Sequence, residues 1–157
     1  LTGGQHPSGS LAYGTITAIA ASYNNLDVIY TGSDDGNLNV TFDAGITWEN
    51  ISDDLPDRYI TSLAISPSND EVLYATFSGF GVLDYTPHVY KTIDAGQNWV
   101  DISSNLPRIP VNDIILHSSE DYIFLATDLY VWYSENDGGT WNIFGNELPL
   151  TLSLTLI

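Results

Sequence analysis

Apolar residues come along this chain in short bursts bounded by polar and turn-forming residues. TAIAAS (17–22), TSLAIS (61–66) and NDIILHS (112–118) open three such groups. Each is followed by a β-branched or aromatic run: DVIYTGS (27–33), EVLYATF (71–77) and DYIFLAT (121–127). Runs of this length and make-up predict strands, and no stretch sustains a helical period. Turn signals stand between the bursts at Asn24-Asn25, Asp35-Gly36 and Ala44-Gly45. The first group therefore reads as four short strands: ITAIAAS (16–22), DVIYTGS (27–33), NLNVTFD (37–43) and TWENIS (47–52).

The grouping repeats around tryptophan. TFDAGITW runs from Thr41 to Trp48, TIDAGQNW from Thr92 to Trp99, and SENDGGTW from Ser134 to Trp141. Each cluster has a hydroxyl first, Asp43, Asp94 or Asn136 third, Gly45, Gly96 or Gly138 fifth, and Trp eighth. A Leu-Pro pair follows each one, at 55–56, 106–107 and 148–149. Four strands recurring roughly every 40–50 residues are the signature of propeller blades. The expectation is an all-β chain: a partial β-propeller of three four-stranded antiparallel blades, at approximately 12–54, 55–105 and 106–147. The closing LTLSLTLI alternates Leu with polar residues, so 148–157 reads as the first strand of a further blade.

Each cluster is expected at the hairpin between the third and fourth strands. A short Asp or Asn side chain can accept hydrogen bonds from the backbone of its own turn. Glycine at the fifth position supplies a positive φ cheaply. The three tryptophans are expected to turn inward and bury their rings.

The cluster resembles the Asp-box, or BNR repeat, Ser/Thr-x-Asp-x-Gly-x-Thr-Trp. That family includes sialidases, sortilin-type receptors, xyloglucanase-type glycoside hydrolases and many secreted bacterial propeller proteins. Asn98 departs from the pattern in the second cluster and Asn136 in the third. The resemblance implies a propeller whose boxes are structural, in a secreted or cell-surface protein. Three blades would leave two sheet faces open. The expected partners are therefore the remaining blades of a parent chain, or other copies, with a glycan or protein as ligand.

Charge narrows the classes. There are 20 acidic residues against three basic ones, for a formal charge of −17. Phosphate recognition needs clustered Lys and Arg, so nucleic acid is disfavoured, as is an anionic membrane surface. No cysteine is present, so there is neither a disulfide nor a thiolate. No secretory signal stands at Leu1, and LTGGQHPSGS (1–10) reads as loop.

Candidate chemistry is sparse. Pro107-Arg108-Ile109-Pro110 echoes the Phe-Arg-Ile-Pro motif of sialidases, but their carboxylate clamp takes three arginines and this chain has Arg58 and Arg108. Asp34 and Asp35 are the adjacent carboxylates that two-carboxylate glycosidase chemistry would draw on. They sit in an Asp-Gly turn, which explains them without catalysis. The cluster carboxylates lack the alternating oxygens and distal Glu of a calcium loop. No catalytic residue, metal ligand or cofactor site is assigned, and His88 and His117 have no sequence neighbour to form a metal pair. The second group is longer than its sisters through SGFGVLDYTPH (78–88), and long loops on regular scaffolds often carry function. Phe80, Tyr85 and His88 are its candidate binding residues, a stacking platform for sugar or peptide. The leading reading is a non-catalytic binding or scaffold module. The alternative is a fragment of a glycoside hydrolase, xyloglucanase-like or sialidase-like, with its carboxylates partly outside this segment. An assembly chaperone like the photosystem stability factors is a third.

Overall fold

The computed structural model describes residues 3–5, 11–79, 86 and 88–145. Every regular element among them is a strand. Strand β1 (Gly3–Gln5) pairs antiparallel with β2 (Leu11–Tyr13). Part of the stretch expected as loop is thus a strand; it is short and glycine-rich, with no alternation to announce it.

Three four-stranded antiparallel sheets follow, each a meander in chain order. The first holds β3 (Ile16–Ala21), β4 (Ile29–Ser33), β5 (Leu38–Thr41) and β6 (Glu49–Asn50). The second holds β7 (Ile60–Ile65), β8 (Leu73–Phe77), β9 (Val89–Thr92) and β10 (Val100–Asp101). The third holds β11 (Val111–Leu116), β12 (Ile123–Thr127), β13 (Val131–Ser134) and β14 (Asn142–Ile143). The segment 148–157, read as a further strand, lies outside the described residues.

The apolar cores lie between the sheets. One buries Tyr30, Leu38, Val40 and Ile51 of the first unit against Ile60, Leu73 and Phe77 of the second. The next buries Tyr74, Val89 and Ile102 against Val111, Ile114, Leu125 and Trp141. A strand covered on both faces has no polar side to show, which is why every residue of β8 is buried. The first strands of all three sheets line one groove of about 310 Å3, with Ile19, Leu63, Ile65, Ile114 and Leu116 on its walls. The sheets therefore fan out from a common side.

Two details differ from the sequence expectation. The fourth strands shrink to two exposed residues each, and one further bond continues the same register beyond them: Ile51 N–H to Leu38 C=O at 2.9 Å and Ile102 N–H to Val89 C=O at 3.0 Å. Each first strand also carries a bulge near its start, between Ile16 and Ala18, Ile60 and Ser62, and Val111 and Asp113. A bulge leaves one residue unpaired and re-aims its side chain.

Candidate functional site

The three clusters fold alike, at the turns joining β5 to β6, β9 to β10 and β13 to β14. In the first, Thr41 Oγ1 donates to Asp43 Oδ1 at 2.8 Å and accepts Gly45 N–H at 2.9 Å. Asp43 accepts Thr47 N–H on Oδ1 at 2.8 Å and Thr47 Oγ1–H on Oδ2 at 2.7 Å. The second cluster repeats this with Thr92, Asp94 and Gly96, and Asn98 Nδ2 donates to Asp94 Oδ2 at 2.7 Å where a threonine hydroxyl stood before. In the third, Asn136 Oδ1 accepts both Ser134 Oγ–H and Thr140 N–H at 2.9 Å, and Gly138 N–H reaches Ser134 Oγ. Gly45, Gly96 and Gly138 all take positive φ, at 86°, 88° and 81°. So do the residues before them, Ala44, Ala95 and Asp137. That second left-handed position is not legible in the residue types, because alanine is costly there.

These bonds set the acidity of the site. The Thr47 hydroxyl, then the Thr47 and Thr41 groups, hold the Asp43 carboxyl below its ordinary value. The Asn98 amide leads the same effect at Asp94. Both carboxylates are thus anionic acceptors committed to their own turns.

The clusters also bind one sheet to the one before it. Trp99 Nε1–H donates to Ile51 C=O at 2.9 Å, and Trp141 Nε1–H donates to Ile102 C=O at 2.8 Å. The paired glycine makes room for this: a Cβ at Gly96 would lie 2.6 Å from Ile51 Cδ1, and one at Gly138 would lie 2.8 Å from Ile102 Cβ. Trp141 is buried and Trp99 half-buried. Trp48 corrects the expectation that all three rings go inward, since it is 44% exposed. Its indole has no carbonyl partner, because no four-stranded sheet precedes it among the described residues.

Further ties run from each sheet to the next. The bulge residues Thr17 and Thr61 donate to Ile60 C=O and Val111 C=O, both at 2.6 Å. Tyr30 Oη–H donates to Asp70 C=O at 2.8 Å, and Tyr74 Oη–H to Asp137 Oδ1 at 2.7 Å. Asp137 also pairs with Lys91. Sequence reading missed all of these. The one legible trace was an Ile-Thr pair at 16–17 and again at 60–61.

The other candidates fare differently. Asp34 accepts Thr15 N–H at 2.7 Å, and Asp35 accepts the Ser33 hydroxyl. Desolvation is the largest single influence on Asp35 and acts upward, but bonds from Ser33 and Asn37 outweigh it and keep the carboxyl below its ordinary value. Asp35 therefore serves the Asp-Gly turn, and Asp34 ties that turn to the residue before β3. Phe80 and Tyr85 lie outside the described residues. His88 is 4% exposed, with Nδ1 at 3.2 Å from Phe77 C=O, so it offers no open ring face for stacking. It sits under the start of β9, where Ser103 Oγ accepts its N–H. His117 Nδ1 meets Ser119 Oγ at 2.8 Å. Among the described residues no three His, Asp or Glu side chains converge for a metal.

One surface was not anticipated. Tyr122, Phe124 and Tyr133 lie side by side on the third sheet, their planes within 20°, 38° and 31° of one another pairwise. Phe144 stands edge-on to Phe124 and Tyr133. With Glu135 they line an open groove of about 410 Å3.

No family model matches the sequence and no curated protein matches it. Solved structures do. A GH74 xyloglucanase from Xanthomonas campestris superposes with a TM-score of 0.67 at 15% identity, over 83% of this chain and 22% of its own. YCF48 from Cyanidioschyzon merolae gives 0.61 at 18% identity, over 85% of this chain and 38% of its own. The extracellular domain of the putative hybrid two component system BT4673 from B. thetaiotaomicron gives 0.63 at 13%, over 88% and 17%. These are propeller proteins, and the likeness is one of fold. The chain is a partial β-propeller. Its three four-stranded sheets are blades, and it spans well under half the length of each of these neighbours.

Proposed function

We propose that the chain is a non-catalytic binding or scaffold segment of an Asp-box propeller in a secreted or cell-surface protein. One observation supports this reading: the Asp43 and Asp94 carboxylates and the Asn136 amide are spent on hydrogen bonds within their own turns, and the tryptophans of the second and third clusters tie their blades to the one before. In this proposal the blades divide near 12–54, 55–105 and 106–147, and 148–157 begins the next. Ligand contact falls to the long insertion of the second blade, through Phe80 and Tyr85. His88 is buried and takes no part in that contact. The extracellular neighbour domain supports the location.

The likeness to a xyloglucanase favours a second reading, part of a glycoside hydrolase with carboxylates supplied by further blades. A protein that carries the further blades, assayed beside the purified chain, separates the two. Calorimetry with xyloglucan oligosaccharides and a chromogenic glycoside assay are the measurements. The expected outcome is no hydrolysis above buffer, with any binding lost in the Phe80→Ala, Tyr85→Ala double variant. Hydrolysis abolished by Asp34→Asn or Asp35→Asn would overturn the non-enzyme reading.

A further inference from the structure

The seams between successive blades are built alike, but their outer rims carry different charges. Tyr30 and Val40 are cross-strand partners in the first blade, and Tyr74 and Lys91 hold the same two places in the second. Lys91 reaches across the second seam to Asp137, the fourth residue of the third cluster, with its ammonium 5.2 Å from the centre of the Tyr74 ring. Val100 stands opposite Lys91 on β10. At this seam the chain itself supplies a cation that joins an aromatic ring to a carboxylate.

The first seam lacks that cation. Val40, which is buried, stands where Lys91 stands, and Ala95 stands where Asp137 stands. Glu49, opposite Val40 on β6, takes the place of Val100. Here a groove of about 270 Å3 opens, lined by Phe42 and Glu49 of the first blade and by Glu71, Asp94, Ala95 and Gln97 of the second. Phe42 is 48% exposed, and Glu49, Glu71 and Gln97 are exposed as well. Both walls belong to neighbouring blades already in place, so the groove does not depend on what precedes or follows them. Glu71 comes before β8 and the insertion at 78–88 comes after it, so the groove lies at the other end of the blade from the insertion.

The chemistry of the rim selects the occupant. An aromatic face with carboxylates around it suits a cation. Among the described residues no three acidic or histidine side chains converge closely enough to hold a metal ion. A guanidinium is planar, presents donors in a fork and stacks on rings, so it can face separated carboxylates at once. We propose that the groove between the first two blades takes an arginine side chain from a basic segment of a partner protein, stacked on Phe42 and hydrogen-bonded to Glu49 and Glu71. Asp94 adds its charge while its oxygens stay on their own turn. The inference does not rest on a ligand being bound at the insertion.

Fluorescence anisotropy of a fluorescein-labelled hexapeptide of alternating arginine and glycine, titrated with the 157-residue chain, tests this. Saturable binding that weakens with salt is expected, since the rim is exposed. Glu71→Gln should weaken it about tenfold, the worth of one hydrogen bond to a charged group. Phe42→Leu, which keeps bulk but loses the ring, should weaken it about threefold. Asp53→Asn removes one charge from an exposed residue outside the groove and should change little. Circular dichroism checks the strands of each variant. Should Phe42→Leu lose them, Glu49→Gln takes its place, with about the same tenfold loss as Glu71→Gln. A hexapeptide with lysine in place of arginine should bind more weakly, its ammonium being a point charge without the fork. No binding, equal losses in Asp53→Asn and Glu71→Gln, a folded Phe42→Leu variant that binds as the wild type does, or equal affinity for the lysine peptide would each overturn the proposal. Displacement of the peptide by calcium at constant ionic strength would overturn it too, making the groove a metal site. The Phe80→Ala, Tyr85→Ala double variant should bind the peptide unchanged, and a loss there would move the site to the insertion. Calorimetry with xyloglucan oligosaccharides tests the insertion without the peptide, so the two failures are distinguishable.

Discussion

At the scale of the residue, neighbouring blades decide what a repeated side chain is worth. Trp141 is 1% exposed and hydrogen-bonded, and Trp48 holds the same cluster position while facing outward. Trp141→Ala is expected to cost about 3–5 kcal/mol, the usual penalty for a buried large aromatic. Trp48→Ala should stay within about 0.5 kcal/mol, as exposed substitutions do. Urea denaturation of both variants checks the contrast. The cluster carboxylates give a pH signature. Asp43 and Asp94 are held below their ordinary value of 3.8, so their contribution is fully present above that pH and is lost as the pH falls through the depressed folded values. Melting temperature should fall over that acid window, and Asp94→Asn should shallow the fall. An unchanged slope in the variant would show that the turn bonds do not discriminate between ionised and neutral forms.

At the scale of the element, glycine does two jobs that the sequence could not separate. Gly96 needs its positive φ, and it also needs to be bare because Ile51 lies against it. Gly45 needs only the φ. Gly45→Ala is expected to cost about 1–2 kcal/mol, the left-handed strain alone. Gly96→Ala should cost more, since Ile51 must also move, and thermal unfolding of the pair measures the difference. The bulge threonines are a second kind of tie. Thr61→Val keeps the shape but leaves Val111 C=O without its 2.6 Å donor. A loss of about 0.5–1.5 kcal/mol is expected, the net worth of one such bond. Three strands of each blade were legible because their apolar runs are long enough to read. The fourth was legible only through the tryptophan that precedes it, and the bulges hardly at all, since one unpaired residue barely disturbs a pattern of polarity.

At the scale of the whole molecule, the chain is a one-dimensional array in which each blade contacts its neighbours. Its stability therefore resides at two interfaces, and its two ends are the surfaces with most still to bury. Among the described residues, the aromatic face of the third blade and the outward Trp48 mark those two ends. It also explains why His88 reads differently in space than in sequence. The long insertion suggested an exposed ring, but the residue lies just before β9, buried and bonded to Phe77 and Ser103 of the neighbouring chain segments.

The sequence by itself determined the repeat, the strands, the turn chemistry of Asp43, Asp94 and Asn136, and the absence of any clustered basic surface. All of these are local: they follow from spacing, from short polar side chains bonding their own backbone, and from counts of charge. Tertiary structure alone decided which tryptophan is buried, which glycine must be bare, and which tyrosine meets a carbonyl on the next blade. Those outcomes depend on what stands across an interface, and three nearly identical clusters carry no record of which neighbours they have.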